Sequence, residues 1–241
     1  MEKISKAQVK FVRSLQQKKY RDESGLFVAE GDKCVEELRK GFELVHLYRE
    51  GENATRTEIE QMSGLRTPQG TIGVFKKSQI SNLQSPISNL MLALDGVQDP
   101  GNLGTIIRTA DWFGVRTIVC SLDTADCYNP KVVQATMGAL ARVQVHYVDL
   151  PAWLAEQQCP IFGTLLDGRD MYECVTAQRS IIVMGNEGNG ISPAVRQLVT
   201  HPIRIPSYPK NAETSESLNV AIATAVVLAE FRRIAQDISL S

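Results

Sequence analysis

Ile181-Ile182-Val183-Met184-Gly185-Asn186-Glu187-Gly188-Asn189-Gly190-Ile191-Ser192-Pro193 is four consecutive apolar residues, a turn with three glycines in six positions, and a serine–proline pair. An unbroken apolar run this short, stopped by glycine, reads as a strand buried on both faces. Ser192 followed by Pro193 reads as a helix N-cap with proline at the first helical position. Met91-Leu92-Ala93-Leu94 is a second run of the same kind. Two such strands imply a parallel sheet covered by helices on both sides.

Working outward, a helix from about Leu103 to Phe113 ends at Gly114, and a strand covers Thr117 to Cys120. A helix spans about Pro130 to Met137, with a strand at 142–148, a helix at 152–158 and an extended segment at 161–165. Ile203-Arg204-Ile205 is a last short strand before a long helix from about Leu218 to Ile234. Before this unit lies a smaller α/β unit. Ser5 and Gln8 are spaced as a capping box, and Val9, Val12 and Leu15 share one helical face. Strands at 26–29, 44–48 and 71–75 alternate with helices at about 32–40 and 57–62. Residues 78–90, rich in Ser, Asn and Gln, read as a linker. The expected organisation is therefore 1–77, a linker at 78–90, and 91–241.

Three turns carry more polar character than a scaffold needs. Residues 95–110 hold a strand end, two glycines, a proline and a helix start, with Asn102 as candidate cap and Arg108 six residues on. Ligands collect beyond the carboxyl ends of strands in open α/β sheets. The glycines at 185, 188 and 190 let main chain approach a ligand closely, yet they match neither a P-loop nor a dinucleotide fingerprint. Ser215-Glu216-Ser217-Leu218-Asn219 opens the last helix with hydroxyl and amide groups. Each turn alone is equally consistent with a plain loop or cap.

Composition bounds the rest. The 241 residues are 43% hydrophobic and 22% charged, with net charge −1. No apolar stretch reaches bilayer length and no secretory leader is visible at Met1, so a cytoplasmic protein is expected. Five scattered cysteines without CxxC spacing, and three dispersed histidines, argue against a metal site. With almost no net charge, any polyanion must bind a local patch. Residues 1–21 carry Lys3, Lys6, Lys10, Arg13, Lys18, Lys19 and Arg21 against Glu2, which reads either as the solvated face of a surface helix or as a phosphate-contacting element.

Together and in this order, the three turns resemble the motifs of the SpoU branch of the SPOUT methyltransferases. Asn102 and Arg108 match motif one; Gly185, Glu187 and Gly188 match motif two; Ile205-Pro206 with Ser217-Leu218-Asn219 matches motif three. Gly25-Leu26-Phe27-Val28-Ala29-Glu30-Gly31 is similar to part of the family's N-terminal substrate-binding domain, a ribosomal-protein-like RNA-binding fold. The loop at 207–214 is longer than the family pattern.

The resemblance implies an α/β chain whose C-terminal parallel-sheet domain forms a deep trefoil knot, preceded by a small α/β RNA-binding domain. It implies S-adenosyl-L-methionine as cofactor, held around Leu165, Gly185, Gly188, Ile205 and Leu218. It implies a ribose 2′-O-methyltransferase acting on RNA, with ribosomal RNA favoured over transfer RNA, and a homodimer formed through the catalytic domain. The implied catalytic residues are Arg108, Asn102, Glu187, Ser217 and Asn219. The resemblance implies Arg108 as the base; because a guanidinium effectively never deprotonates in proteins, Arg108 is read as a phosphate and alkoxide clamp, with arginine as base the alternative. In that reading Asn102, Ser217 and Asn219 position the ribose and Glu187 orders them. The competing readings are a catalytically silent RNA-binding or ribosome-assembly protein on the same scaffold, and an ordinary Rossmann methyltransferase, which the glycine spacing after Asp95 does not suit.

Overall fold

The computed structural model describes residues 4–77, 90–174, 179–209 and 217–239. The linker expected at 78–90, save Leu90, lies outside them, as do Lys3 and most of the long loop after Pro209. In chain order the elements are α1 (Lys6–Ser14), α2 (Lys18–Ser24), β1 (Leu26–Glu30), α3 (Asp32–Leu38), β2 (Leu44–Arg49), α4 (Arg56–Met62) and β3 (Thr71–Lys76). There follow β4 (Met91–Leu94), α5 (Pro100–Trp112), β5 (Thr117–Ser121), α6 (Pro130–Thr136), β6 (Gln144–Val148), α7 (Leu150–Ala155) and β7 (Ile161–Asp170). The chain continues through β8 (Ile181–Met184), α8 (Pro193–Arg196), β9 (His201–Arg204) and α9 (Val220–Ser239). Contacts divide it into two compact units, Met1–Ser81 with Asp126–Arg142, and Asn82–Ala125 with Val143–Ser241.

In the first unit β1, β3 and β2 form an antiparallel sheet in that order. Ser5 and Gln8 make the expected capping box at α1. Val9, Val12 and Leu15 pack with Ile59, Met62, Val28, Ile72 and Val74 on one face. On the other, Phe27 stacks on its register partner Phe75 at 5.6 Å and meets Phe42 at 5.1 Å and Tyr128 at 4.9 Å. Tyr128 comes from the 126–142 segment, which lies in sequence between two strands of the other unit. An ion pair holds it. Arg21, almost fully buried, donates to Asp126 at 2.7 Å and to the carbonyls of Leu15 and Gln16 at 3.0 and 2.9 Å. A buried guanidinium is tolerated only when its donors are satisfied in this way.

Those contacts correct the basic patch. Arg21 is inside, Arg13 donates to the Ser63 carbonyl, and Lys18 and Lys19 pair with Asp22 and Glu23 along α2. Lys6 and Lys10 stay exposed, with no ion pair among the described residues.

The second unit is a six-stranded sheet in the order β6-β5-β4-β8-β7-β9, parallel throughout. Met91, Ala93, Val119, Ile161, Ile181 and Val183 face α7 and α8. Alternation turns their neighbours the other way, where Phe162 meets Phe231 of α9 edge-on at 4.9 Å. Both faces are covered, which is why these strands read as unbroken apolar runs. The order reverses between β4 and β8, so their carboxyl ends leave a crevice at a topological switch point. Helices α5 and α9 run parallel, because Asn219 bonds Asn102 at their N-terminal ends while Arg232 donates to the carbonyls of Phe113 and Gly114 at the other.

His146 on β6 is buried, and its Nε2 has no hydrogen-bond partner among the described residues. Burial disfavours the imidazolium and holds its pKa below the ordinary 6.5. The unfolded chain therefore binds this proton first. The stability contributed is present above pH 6.5 and is lost as pH falls through the depressed folded value. Urea denaturation should show the wild type losing more stability than His146→Leu between pH 7.5 and about 5. Equal losses would refute the assignment.

Candidate active site

The turn after β8 is built by its second residue. Asn186 Oδ1 accepts from the amides of Gly188 and Asn189 at 2.9 and 3.0 Å, and its main chain exchanges two bonds with Gly190. Asn186 Nδ2 donates to the Gly96 carbonyl at 2.6 Å, joining this turn to the one after β4. Gly185 has no room for a side chain, because a Cβ there would stand 2.2 Å from the Gly190 carbonyl carbon. Gly190 has φ +67, the left-handed region that favours glycine. Asn186 was not among the residues expected to matter. An asparagine in a glycine-rich turn is the available signal, since its amide mimics a turn of main chain.

The turn after β4 differs from the expectation in one respect. Helix α5 starts at Pro100, and Asp99 is its N-cap, accepting from the Asn102 amide at 2.8 Å. Asn102 is not the cap. Proline suits the first helical position and leaves capping to the acid before it. The consequence is chemical, because the Asn102 carboxamide is free to bond elsewhere.

It bonds to the other two turns. Its Nδ2 donates to Glu187 Oε1 at 3.0 Å, and its Oδ1 accepts from Asn219 Nδ2 at 3.0 Å. Asn219 Oδ1 in turn accepts from the amides of Ala221 and Ile222 at 3.0 and 3.3 Å, capping α9. Glu187 Oε1 and Oε2 also lie 3.4 and 3.5 Å from the amides of Asp99 and Gln98, where the α5 dipole favours negative charge.

Beside this chain lies a cavity of about 650 Å³, between the ends of β7, β8 and β9 and the start of α9. That volume suits a small-molecule ligand. Leu165, Gly185, Gly188, Ile205, Leu218, Glu187 and Ser217 line it, as do Leu166 and Arg204, which the sequence did not single out. Arg108 does not. It sits on the exposed side of α5, about 9 Å along the axis from Asn102, and makes no hydrogen bond or ion pair among the described residues. Among the described residues no cluster of His, Cys, Asp or Glu is arranged to hold a metal, and no helix is long and apolar enough to cross a membrane.

A family model described as the SpoU rRNA methylase family matches residues 89–229. The chain belongs to this family. A second model, described as the MRM3-like substrate binding domain, matches residues 6–62. The SpoU chain is 28% identical to the 23S rRNA (guanosine(2553)-2′-O)-methyltransferase RlmP of Bacillus subtilis, covering 96% of this chain and 98% of that one. It is 35% identical over 180 residues to an uncharacterized tRNA/rRNA methyltransferase of Synechocystis, slr1673, where it spans 64% of the relative's length and 73% of its own. Its fold is similar to the crystal structure of AdoMet-bound rRNA methyltransferase from Sinorhizobium meliloti, with TM-score 0.83, 30% identity and 97% coverage of each chain.

The packing at the glycine turn makes a differential prediction. Gly185→Ala forces a Cβ into main chain and should destabilise the second unit by about 3 kcal/mol in urea titrations. Gly188→Ala, whose nearest neighbour is a side-chain oxygen at 3.6 Å, should change stability by about 1 kcal/mol or less. Equal effects would mean the turn is not packed as described.

Proposed function

We propose that this chain uses S-adenosylmethionine to methylate a ribose 2′-hydroxyl in ribosomal RNA. The observation that carries this is the hydrogen-bonded chain Glu187–Asn102–Asn219, which joins three sequence-distant turns at the edge of one cavity. The names of the Bacillus subtilis and Sinorhizobium meliloti relatives support the same reading.

The lining fits the cofactor. Leu165, Ile205 and Leu218 offer apolar surface to an adenine, and Gly185 and Gly188 let a ligand lie against main chain. When bound, S-adenosylmethionine supplies an electrophilic methyl carbon on a sulfonium. Asn102, Ser217 and Asn219 position the ribose, with Glu187 fixing which way the Asn102 and Asn219 amides point. Arg108 stays protonated, holds an RNA phosphate and stabilises negative charge developing on the 2′-oxygen.

Because Arg108 is not among the lining residues of its own chain's cavity, we take it to act across a homodimer. It shares an exposed α5 stripe with Thr105 and Trp112, and α9 beside it exposes Ile222 and Ala229. Trp112 is 85% exposed and Ile222 57%, large apolar groups that a second copy of this chain would cover. We take that face to be the dimer interface and Arg108 to serve the partner's cavity. The placement of β9 outside β7, with α9 returning beside α5, supports the deep trefoil knot of the family. Residues 1–77 are the RNA-binding part, and the cytoplasm is the proposed compartment.

Ribosomal RNA from cells with and without this protein should differ at one position that resists alkaline cleavage, since 2′-O-methylation blocks attack on the adjacent phosphodiester. Arg108→Ala should lower the methylation rate by about 100-fold or more, with S-adenosylmethionine affinity by calorimetry nearly unchanged. Loss of cofactor binding instead would remove Arg108 from the chemistry. Trp112→Glu with Ile222→Glu should give monomers by sedimentation and the same loss of rate; dimers that persist would place the interface elsewhere.

A further inference from the structure

The two oxygens of Glu187 are unequally used. Oε1 accepts from Asn102 Nδ2 at 3.0 Å and lies 3.4 Å from the Asp99 amide, whereas among the described residues Oε2 meets only the Gln98 amide, at 3.5 Å, the outer limit of a hydrogen bond. An ionised carboxylate offers about four lone-pair sites. The second oxygen therefore keeps most of its accepting capacity, on an exposed side chain that lines the cavity. Among the described residues lining that cavity the other charged group is Arg204, which has no lone pair to offer.

We propose that Glu187 Oε2 accepts the proton of the target 2′-hydroxyl, a catalytic role beyond ordering Asn102, and one that rests on the methyltransferase reading above. The balance of the step requires such an acceptor. The 2′-oxygen bonds to the methyl carbon as the bond from that carbon to sulfur breaks, its electron pair remaining on sulfur. The oxygen, now bonded to two carbons and still to hydrogen, becomes far more acidic than the starting hydroxyl. Its proton passes to the carboxylate and then to solvent. A weak base suffices for a proton that becomes acidic during the reaction, so position matters more than basicity. Position is what the structure provides. Asn219 and α9 set the direction of the Asn102 amide, that amide pins one carboxylate oxygen, and the other keeps its accepting capacity on a side chain that lines the cavity. Arg108 remains free to act as a permanent cation, so neither group is asked for two incompatible protonation states.

The test uses a synthetic RNA hairpin carrying the nucleotide mapped by the alkaline-cleavage comparison. A 2′-fluoro substituent at that nucleotide keeps an electronegative group but cannot donate a hydrogen bond. Wild-type protein should bind the 2′-hydroxyl hairpin about tenfold more tightly than the 2′-fluoro one, the scale of a hydrogen bond to a charged acceptor. Glu187→Gln, which keeps an oxygen for Asn102 and places an amide where Oε2 stood, should lose that discrimination. It should also methylate at least about 100-fold more slowly while holding S-adenosylmethionine within about threefold by calorimetry. Equal wild-type affinity for the two hairpins, or a Glu187→Gln enzyme at near-normal rate, overturns the assignment. Wild-type protein that binds no S-adenosylmethionine overturns the methyltransferase reading itself.

Discussion

A carboxylate can accept hydrogen bonds but not donate them, and that asymmetry organises the site. Glu187 forces the amino end of Asn102 toward itself, which turns the Asn102 carbonyl toward Asn219. Asn219 must then donate with its own amino group and is left with an oxygen, which the first amides of α9 require. A negative charge at one end and a helix N-terminus at the other give the chain a single direction. Reversing any amide would set donor against donor. Three turns, the first more than eighty residues before the other two, are held in one orientation by this logic.

The chain of bonds works because the sheet delivers its ends to the same place. Parallel strands put all their carboxyl ends on one edge, and the reversal of order between β4 and β8 opens a gap there. Asn186 then ties the two flanking turns together through the Gly96 carbonyl, and Gly185 lets the chain fold back on itself at a spacing no other residue permits. The ligand space is thus walled by main chain and apolar side chains, and among the described lining residues the charged groups are Glu187 and Arg204. Rigidity at such a site has a catalytic use, since methyl transfer depends on alignment.

The first unit shows a different economy. Its sheet is covered on one face by helices that immediately neighbour it in sequence, and on the other partly by Asp126–Arg142, borrowed from far along the chain. The Arg21 guanidinium anchors that segment with all three of its nitrogens engaged. Arg21 and Arg13 look like RNA contacts when charges are counted along residues 1–21, yet both are committed to protein oxygens. Counting charges along a sequence cannot tell a solvated cation from a structural one, because the partner that decides lies elsewhere in the chain.

By itself the sequence determined the local chemistry. The apolar runs at 91–94 and 181–184, the capping box at Ser5, the serine cap at Ser192, the glycine turn and the residue types of three motifs all depend on neighbours within a few positions, which a sequence displays directly. Tertiary structure alone decided the relations among them: that Asp99 and not Asn102 caps α5, that Asn186 links two turns, that residues 126–142 pack with the first unit, and that Arg108 does not line its own chain's cavity. Each of these is a choice among partners that are locally equivalent. It is settled by which group arrives within hydrogen-bonding distance after the sheet has formed, and that distance is not written in any stretch of the chain.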